Sequence, residues 1–119
     1  MPISSKLKKL ATAVVAVGSM CVGSLQVTHA AEKAAFVYIG PTGDHGWTYS
    51  HDQGRIKAEK ALGGKFTTSH IENVPETADA ERVFRNLAQQ GNKVVFGTSF
   101  GYMNQMEKVA RQFPNTIFM

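Results

Sequence analysis

An α/β fold, with a parallel sheet and helices on both faces, is what this sequence predicts, and three features carry the prediction. Short runs of strand length, Ala34–Ile39, Lys65–Val74, Lys93–Thr98 and Thr116–Met119, recur along the chain. Segments with helical spacing fall between them, and the connections are short and rich in Gly and Pro. Strands that alternate with helices across short turns form parallel sheets, because each crossover returns the chain in the same direction.

The elements follow in order. Ala34–Ile39 (A-A-F-V-Y-I) is apolar enough for a strand covered on both faces. Gly40-Pro41-Thr42-Gly43 breaks it with turn chemistry. A first helix is expected from Thr48, as its cap, to Leu62, with Gly63-Gly64 as the stop. His51, Gly54, Ala58, Ala61 and Leu62 share one face, mostly small, suited to close packing on a sheet. Lys65–Val74, polar in part, contains a second strand, expected nearer an edge, and Pro75-Glu76-Thr77 turns the chain. Ala80, Val83, Phe84, Leu87 and Ala88 fall at i, i+3, i+4, i+7 and i+8, the buried stripe of a second helix that Gly91 ends. After the strand Lys93–Thr98, Ser99–Met103 forms a second loop. Asn104 is the expected cap of a third helix burying Met106, Val109, Ala110 and Phe113, and Pro114 ends it.

Residues 1–30 read as a secretory signal peptide. A start bearing Lys6, Lys8 and Lys9 leads into an apolar run, Leu10–Leu25, broken by Gly18, Ser19, Gly23 and Ser24. Thr28 and Ala30 then place small residues before Ala31, and the run is too short and broken to span a bilayer well. Cys21, the only cysteine, is expected to leave with this segment, which removes thiol chemistry, disulfides and cysteine metal sites from residues 31–119. The three lysines also account for most of the formal charge of +4; beyond residue 30, ten basic residues face nine acidic ones. No basic stripe remains to follow a phosphate backbone, so nucleic acid is not an expected partner.

In a doubly wound sheet of order 2-1-3-4-5, strands one and three are neighbours, and ligands bind at the carboxyl ends of the strands. The loops Gly40–Trp47 and Ser99–Met103 would then face each other across one crevice. Gly40, Gly43 and Gly46 match neither dinucleotide nor Walker spacing, although amides near a helix start can hold an anion. His45, His51 and His70 lack zinc-like spacing, and the adjacent Ser50-His51-Asp52 cannot take up a triad geometry. Two readings of Asp44 and Trp47 stay open. Trp47 offers a flat face for stacking and Asp44 an acceptor for ring or amine N–H groups; alternatively Trp47 pins the loop and Asp44 braces the turn. Phe100 and Tyr102 can line an aromatic pocket or pack between lobes.

Three stretches carry a family resemblance: I-G-P-T-G-D-H-G-W-T-Y-S-H-D-Q-G-R, E-N-V-P-E-T-A-D-A-E-R-V, and G-T-S-F-G-Y-M-N with K-V-A-x-x-F-P-N after it. Over residues 33–119 the chain resembles the basic membrane protein (BMP, PnrA-like) family, substrate-binding proteins of ABC transporters. The resemblance implies the type I periplasmic-binding (flavodoxin-like) fold, two lobes closing on a ligand, of which residues 31–119 would be a truncated N-terminal lobe. It implies binding without catalysis or cofactor, an ABC permease as partner, a periplasmic location, and a purine-like ligand. By position, Asp44 would bond the base and Trp47 stack on it, with His45 beside them and Ser99, Phe100 and Asn104 lining the site. Nucleoside-binding members carry Ser-Phe-Asn where this chain has Gly46-Trp47-Thr48, which extends the expected ligands to free nucleobases and other planar heterocycles. A sugar stacked on Trp47, a flavodoxin-like enzyme domain holding a phosphorylated cofactor, and a periplasmic sensory module are the rival readings.

Overall fold

The computed structural model describes residues 28–119; the expected signal peptide lies almost wholly outside them. Four parallel strands, β1 (Glu32–Val37), β2 (Phe66–Ile71), β3 (Val94–Gly97) and β4 (Ile117–Phe118), form one sheet in the order β2-β1-β3-β4. The helices are α1 (Trp47–Ala61), α2 (Ala78–Gln89) and α3 (Met103–Ala110), and 3-10 turns at Thr42–Asp44 and Phe100–Tyr102 lead into α1 and α3. This is the predicted α/β fold, with strands one and three adjacent. No helix among the described residues is long and apolar enough to cross a membrane.

The register places Ala34 opposite Thr68 and Val94, and Phe36 opposite His70 and Phe96. β1 starts two residues earlier than the apolar run, at Glu32, because its amide donates to the Lys65 carbonyl at 2.9 Å. Backbone pairing, rather than side-chain polarity, sets that boundary. Past β1, the Tyr38 amide donates to Ile71 and its carbonyl accepts from Val74, which draws the β2–α2 connection across the top of the sheet.

Alternate residues sort to the two faces. Ala35, Val37 and Val95 point to α2 and α3 and are fully buried with Ala80, Phe84, Tyr102 and Val109. The stripe predicted for α2 is this core: Ala80, Phe84, Leu87 and Ala88 are buried and Val83 packs against them. Thr77 caps α2 by accepting from the Asp79 amide, and Gly91, at φ 80°, follows its end in the left-handed region. In α3, Val109 is buried and Met106 and Phe113 pack on the core.

Two expectations are corrected. The small face of α1 (His51, Gly54, Ala58, Ala61, Leu62) is not what the helix buries; Gly54, Ala58, Ala61 and Leu62 are exposed. α1 instead turns Thr48 and Asp52 inward and meets the sheet through polar contacts. The Tyr38 hydroxyl donates to Asp52 Oδ1 (3.1 Å), Arg55 Nε donates to the same oxygen (2.7 Å), and Arg55 Nη1 donates to Thr68 Oγ1 (2.8 Å). A polar stripe leaves no trace in hydrophobic periodicity. The second correction concerns Asn104, which does not cap α3. The 3-10 turn runs directly into the helix, Tyr102 occupies the cap position with helical φ and ψ, and no extended residue is left to swing a side chain back onto the first amides.

Candidate functional site

The two predicted loops meet at the carboxyl ends of β1 and β3. Thr98 is the post between them. Its amide and Oγ1 both donate to the Val37 carbonyl (3.1 and 3.0 Å), and its own carbonyl accepts the indole N–H of Trp47 at 2.7 Å. A side chain from the first loop is thereby tied to the residue that opens the second, 51 positions away. The tether satisfies the polar edge of the indole and leaves its face to solvent: Trp47 is 61 % exposed. The His51 ring lies 4.6 Å from the indole, and His51 Nδ1 donates to the Trp47 carbonyl at 2.8 Å.

Asp44 braces the turn. Its Oδ1 accepts from the amides of Gly46 (2.8 Å) and Tyr49 (3.0 Å), and Oδ2 from that of Thr48 (3.2 Å). The carboxylate caps α1 from outside the helix, the role expected of Thr48. These amides, the Gly46 bond first and the Tyr49 bond next, hold Asp44 below the usual carboxylate range. His45, in the left-handed region at φ 52°, bends the chain so that Asp44 can reach back, and its ring packs 5.3 Å from Tyr49. Because the first amides of α1 already hold a carboxylate, an anionic ligand would have to displace it, which weighs against the phosphorylated-cofactor reading. Asp44→Ala is expected to fray the start of α1, seen as lost hydrogen-exchange protection at Gly46, Thr48 and Tyr49. Since the folded carboxyl titrates below its ordinary value, this support is present above about pH 4 and fades as the pH falls through the folded value. Unchanged protection in the variant would deny Asp44 the capping role.

On the second loop, Phe100 is 86 % exposed while Tyr102, two residues on, is fully buried. Tyr102 therefore belongs to the core and not to an aromatic pocket. Its ring meets Phe84 edge-on at 5.3 Å and its hydroxyl donates to the Val74 carbonyl at 2.5 Å. Burial, and then the charge of Glu76, pushes the phenol up to about 12. Ser99 is half-buried and its hydroxyl donates to Glu76 Oε1, which also accepts from the Gly101 amide at 3.1 Å. Asn104 sits in the first turn of α3 with an exposed side chain.

The structure thus ties Trp47 to Thr98, the residue that precedes Ser99 and Phe100, with Asp44 and His45 on the turn before Trp47 and Asn104 in the first turn of α3. The residues that hold them were not singled out from the sequence: Thr98 as the tether, and Glu72 and Glu76 at the two ends of E-N-V-P-E. Glu72 accepts from the Thr42 amide (3.1 Å) and hydroxyl (2.9 Å) and contacts His70 Nε2 at 3.2 Å. The Thr42 hydroxyl, then its amide, hold the Glu72 carboxyl below the usual range. An open recess of ≈ 340 Å³ adjoins the second loop, with Gly97, Ser99, Phe100, Met103, Met106 and Phe118 among its walls. Trp47 does not line it, so the indole face is a platform on the surface rather than part of an enclosed cavity. Among the described residues no group of three or more His, Cys, Asp or Glu is placed to hold a metal ion.

The chain is similar over most of its length to several known proteins. A purine-binding protein of Brucella abortus (strain 2308) is 54 % identical over 92 residues, covering 76 % of this chain and 26 % of that protein. A putative ABC transporter glucose-binding protein of Haloferax volcanii is 42 % identical over 86 residues, covering 72 % of this chain and 22 % of the relative. Among solved structures, an ABC transporter solute-binding protein from Conexibacter woesei superposes with a TM-score of 0.65 at 25 % identity, covering 74 % of this chain and 28 % of that one. A solute-binding protein from Aeropyrum pernix gives a TM-score of 0.61 at 18 % identity, over 73 % of this chain and 23 % of that one, and shares the fold. The chain spans about a quarter of the length of these relatives. Residues 31–119 match the family described as Bmp, ABC transporter substrate-binding protein PnrA-like, and the chain belongs to that family.

Proposed function

We propose that residues 31–119 supply part of the first lobe of a solute-binding protein, which captures a planar heterocycle of the purine class for an ABC permease. The observation that carries the reading is the Trp47 platform: an indole fixed through its N–H to Thr98, 61 % exposed, and tied by that bond to the loop that carries the exposed Phe100. A fixed aromatic face loses little conformational freedom when a ligand stacks on it. Three of the four lone-pair sites of the Asp44 carboxylate are engaged by backbone amides. The remaining site on Oδ2 is free to accept a ring N–H, and His45, Ser99 and Asn104 offer further polar contacts at the margin. The name of the Brucella relative supports the purine class. Binding needs no cofactor and no bond-making step.

In the complete protein, Trp47→Ala should weaken purine binding by about 1–3 kcal/mol, the scale of base–aromatic stacking. Equilibrium dialysis against adenine, guanosine and glucose is the measurement. Affinity for adenine that is the same in the variant and the parent, at equal folding, would remove Trp47 from the site. The glucose-binding name of the Haloferax relative favours a second reading, a pyranose stacked on the same indole. Retention of glucose and not adenine would select it.

Delivery to a permease places the protein outside the cytoplasmic membrane, and we assign that export to residues 1–30. Exported protein should begin at or near Ala31 on N-terminal sequencing. Retention of Met1 would overturn the assignment.

A further inference from the structure

The connector between β2 and α2, Glu72–Glu76, touches both ligand loops. Asn73 adopts the left-handed conformation (φ 56°), which lets its two neighbours leave the chain in different directions. Val74 is driven inward, 4 % exposed, where its amide donates to the Tyr38 carbonyl (3.0 Å) and its carbonyl accepts the Tyr102 hydroxyl (2.5 Å). That wedge fixes the connector to β1 on one side and to the root of α3 on the other. The two flanking glutamates then reach apart. Glu72 holds the first loop through the Thr42 amide and hydroxyl, and Glu76 holds the second through the Ser99 hydroxyl and the Gly101 amide.

The second clamp is the more closely fitted. Both of its hydrogen bonds end on one oxygen, Glu76 Oε1, and they come from the residues on either side of Phe100. A side chain at residue 101 would overlap the Glu76 carboxylate, so glycine is needed for the carboxylate to reach the loop. With Ser99 and Gly101 held and Tyr102 buried, Phe100 is the one residue of the turn whose side chain stands out into solvent. Glu76 is itself exposed and fills no part of the core. Its contacts are spent on the loop rather than on the stability of the lobe.

We propose that Glu76 is a positioning residue: its carboxylate holds the Ser99–Gly101 turn so that Phe100 faces the ligand, while Glu72 sets the opposite loop from the other end of the same connector. The proposal rests on the reading of Trp47 and Phe100 as ligand-facing residues.

The test compares Glu76→Ala, Glu76→Gln and Gly101→Ala in the complete two-lobe protein. Three readouts are used: the thermal midpoint, the rate of chymotryptic cleavage after Phe100, and the affinity for adenine. Glutamine keeps an oxygen that accepts both hydrogen bonds, so Glu76→Gln should behave as the parent. Glu76→Ala and Gly101→Ala should leave the midpoint within a few degrees, speed cleavage after Phe100 relative to cleavage elsewhere, and weaken adenine binding by about tenfold, as expected for loss of hydrogen bonds to a charged group. Unchanged cleavage and affinity in both variants would overturn the proposal. So would faster cleavage with parental adenine affinity while Trp47→Ala still weakens binding, because the clamp would then be structural only. If Trp47→Ala and Phe100→Ala also leave adenine affinity unchanged, or the parent binds no adenine, the ligand reading fails instead, and the cleavage rates still decide whether Glu76 holds the turn.

Discussion

Phe84→Ala is expected to remove about 3–5 kcal/mol of stability, the cost of emptying a buried aromatic site. Phe84 has no exposed surface and joins the two helices of its face to the sheet. Its ring meets Tyr102 edge-on at 5.3 Å and Phe118 edge-on at 6.4 Å, and its tip stands against Gly97, where a β-carbon would lie 3.1 Å away. None of these neighbours can move in to fill the space without leaving its own place: Tyr102 is bonded to Val74 and Gly97 lies within β3. A domain of this size has total stability of about 5–15 kcal/mol at most, so the variant should be unfolded in a large fraction of molecules or shift its urea midpoint strongly. Phe84→Leu, which retains most of the volume, should cost clearly less. A loss below about 1 kcal/mol for Phe84→Ala would mean that α2 is not packed as described.

The second large effect is expected on the opposite face. Asp52→Ala should cost about 3 kcal/mol, the lower end of the range for removing one partner of a buried pair. The lower end applies because Arg55 keeps its bond to Thr68 and a contact with Glu59 at 3.8 Å. What the substitution strands is the Tyr38 hydroxyl on a fully buried ring and an Arg55 side chain only 12 % exposed. Burial by itself would raise the Asp52 carboxyl, but the Arg55 hydrogen bond and charge, with smaller help from Tyr38 and His70, outweigh it and hold Asp52 below the usual range. The same carboxylate, after burial itself, pushes the Tyr38 phenol up, so that it remains a donor. The sign for stability follows. A depressed carboxyl stabilises the fold above its unfolded value, about pH 4, and the contribution is lost as the pH falls through the folded value. Asp52→Ala should therefore lie well below the parent at pH 7 in urea unfolding, and the gap should narrow at a pH below the ordinary carboxylate value. A constant gap at both pH values would mean that the ionised carboxylate is not what holds α1 to the sheet.

Much of this architecture was legible in the sequence, and the reason is local. The α2 stripe Ala80–Phe84–Leu87 records which side of one helix avoids water, and Gly63, Gly64 and Gly91 stand where the backbone needs a left-handed residue. Such signals sit within a few residues of the feature they specify. The order of strands and helices, the placement of Gly40–Trp47 and Ser99–Met103 at the carboxyl ends of neighbouring strands, and the family itself could therefore be read along the chain. The tertiary structure alone decided what the polar residues do. Asp52 finds Tyr38 14 positions away, Glu72 finds Thr42 30 away, and Trp47 finds Thr98 51 away. Hydrophobic periodicity reports exclusion from water but carries no information about which distant donor meets which acceptor. For that reason the face α1 buries, the burial of Tyr102 beside the exposure of Phe100, and the carboxylate that holds the second loop became visible only once the sheet had brought its strands together.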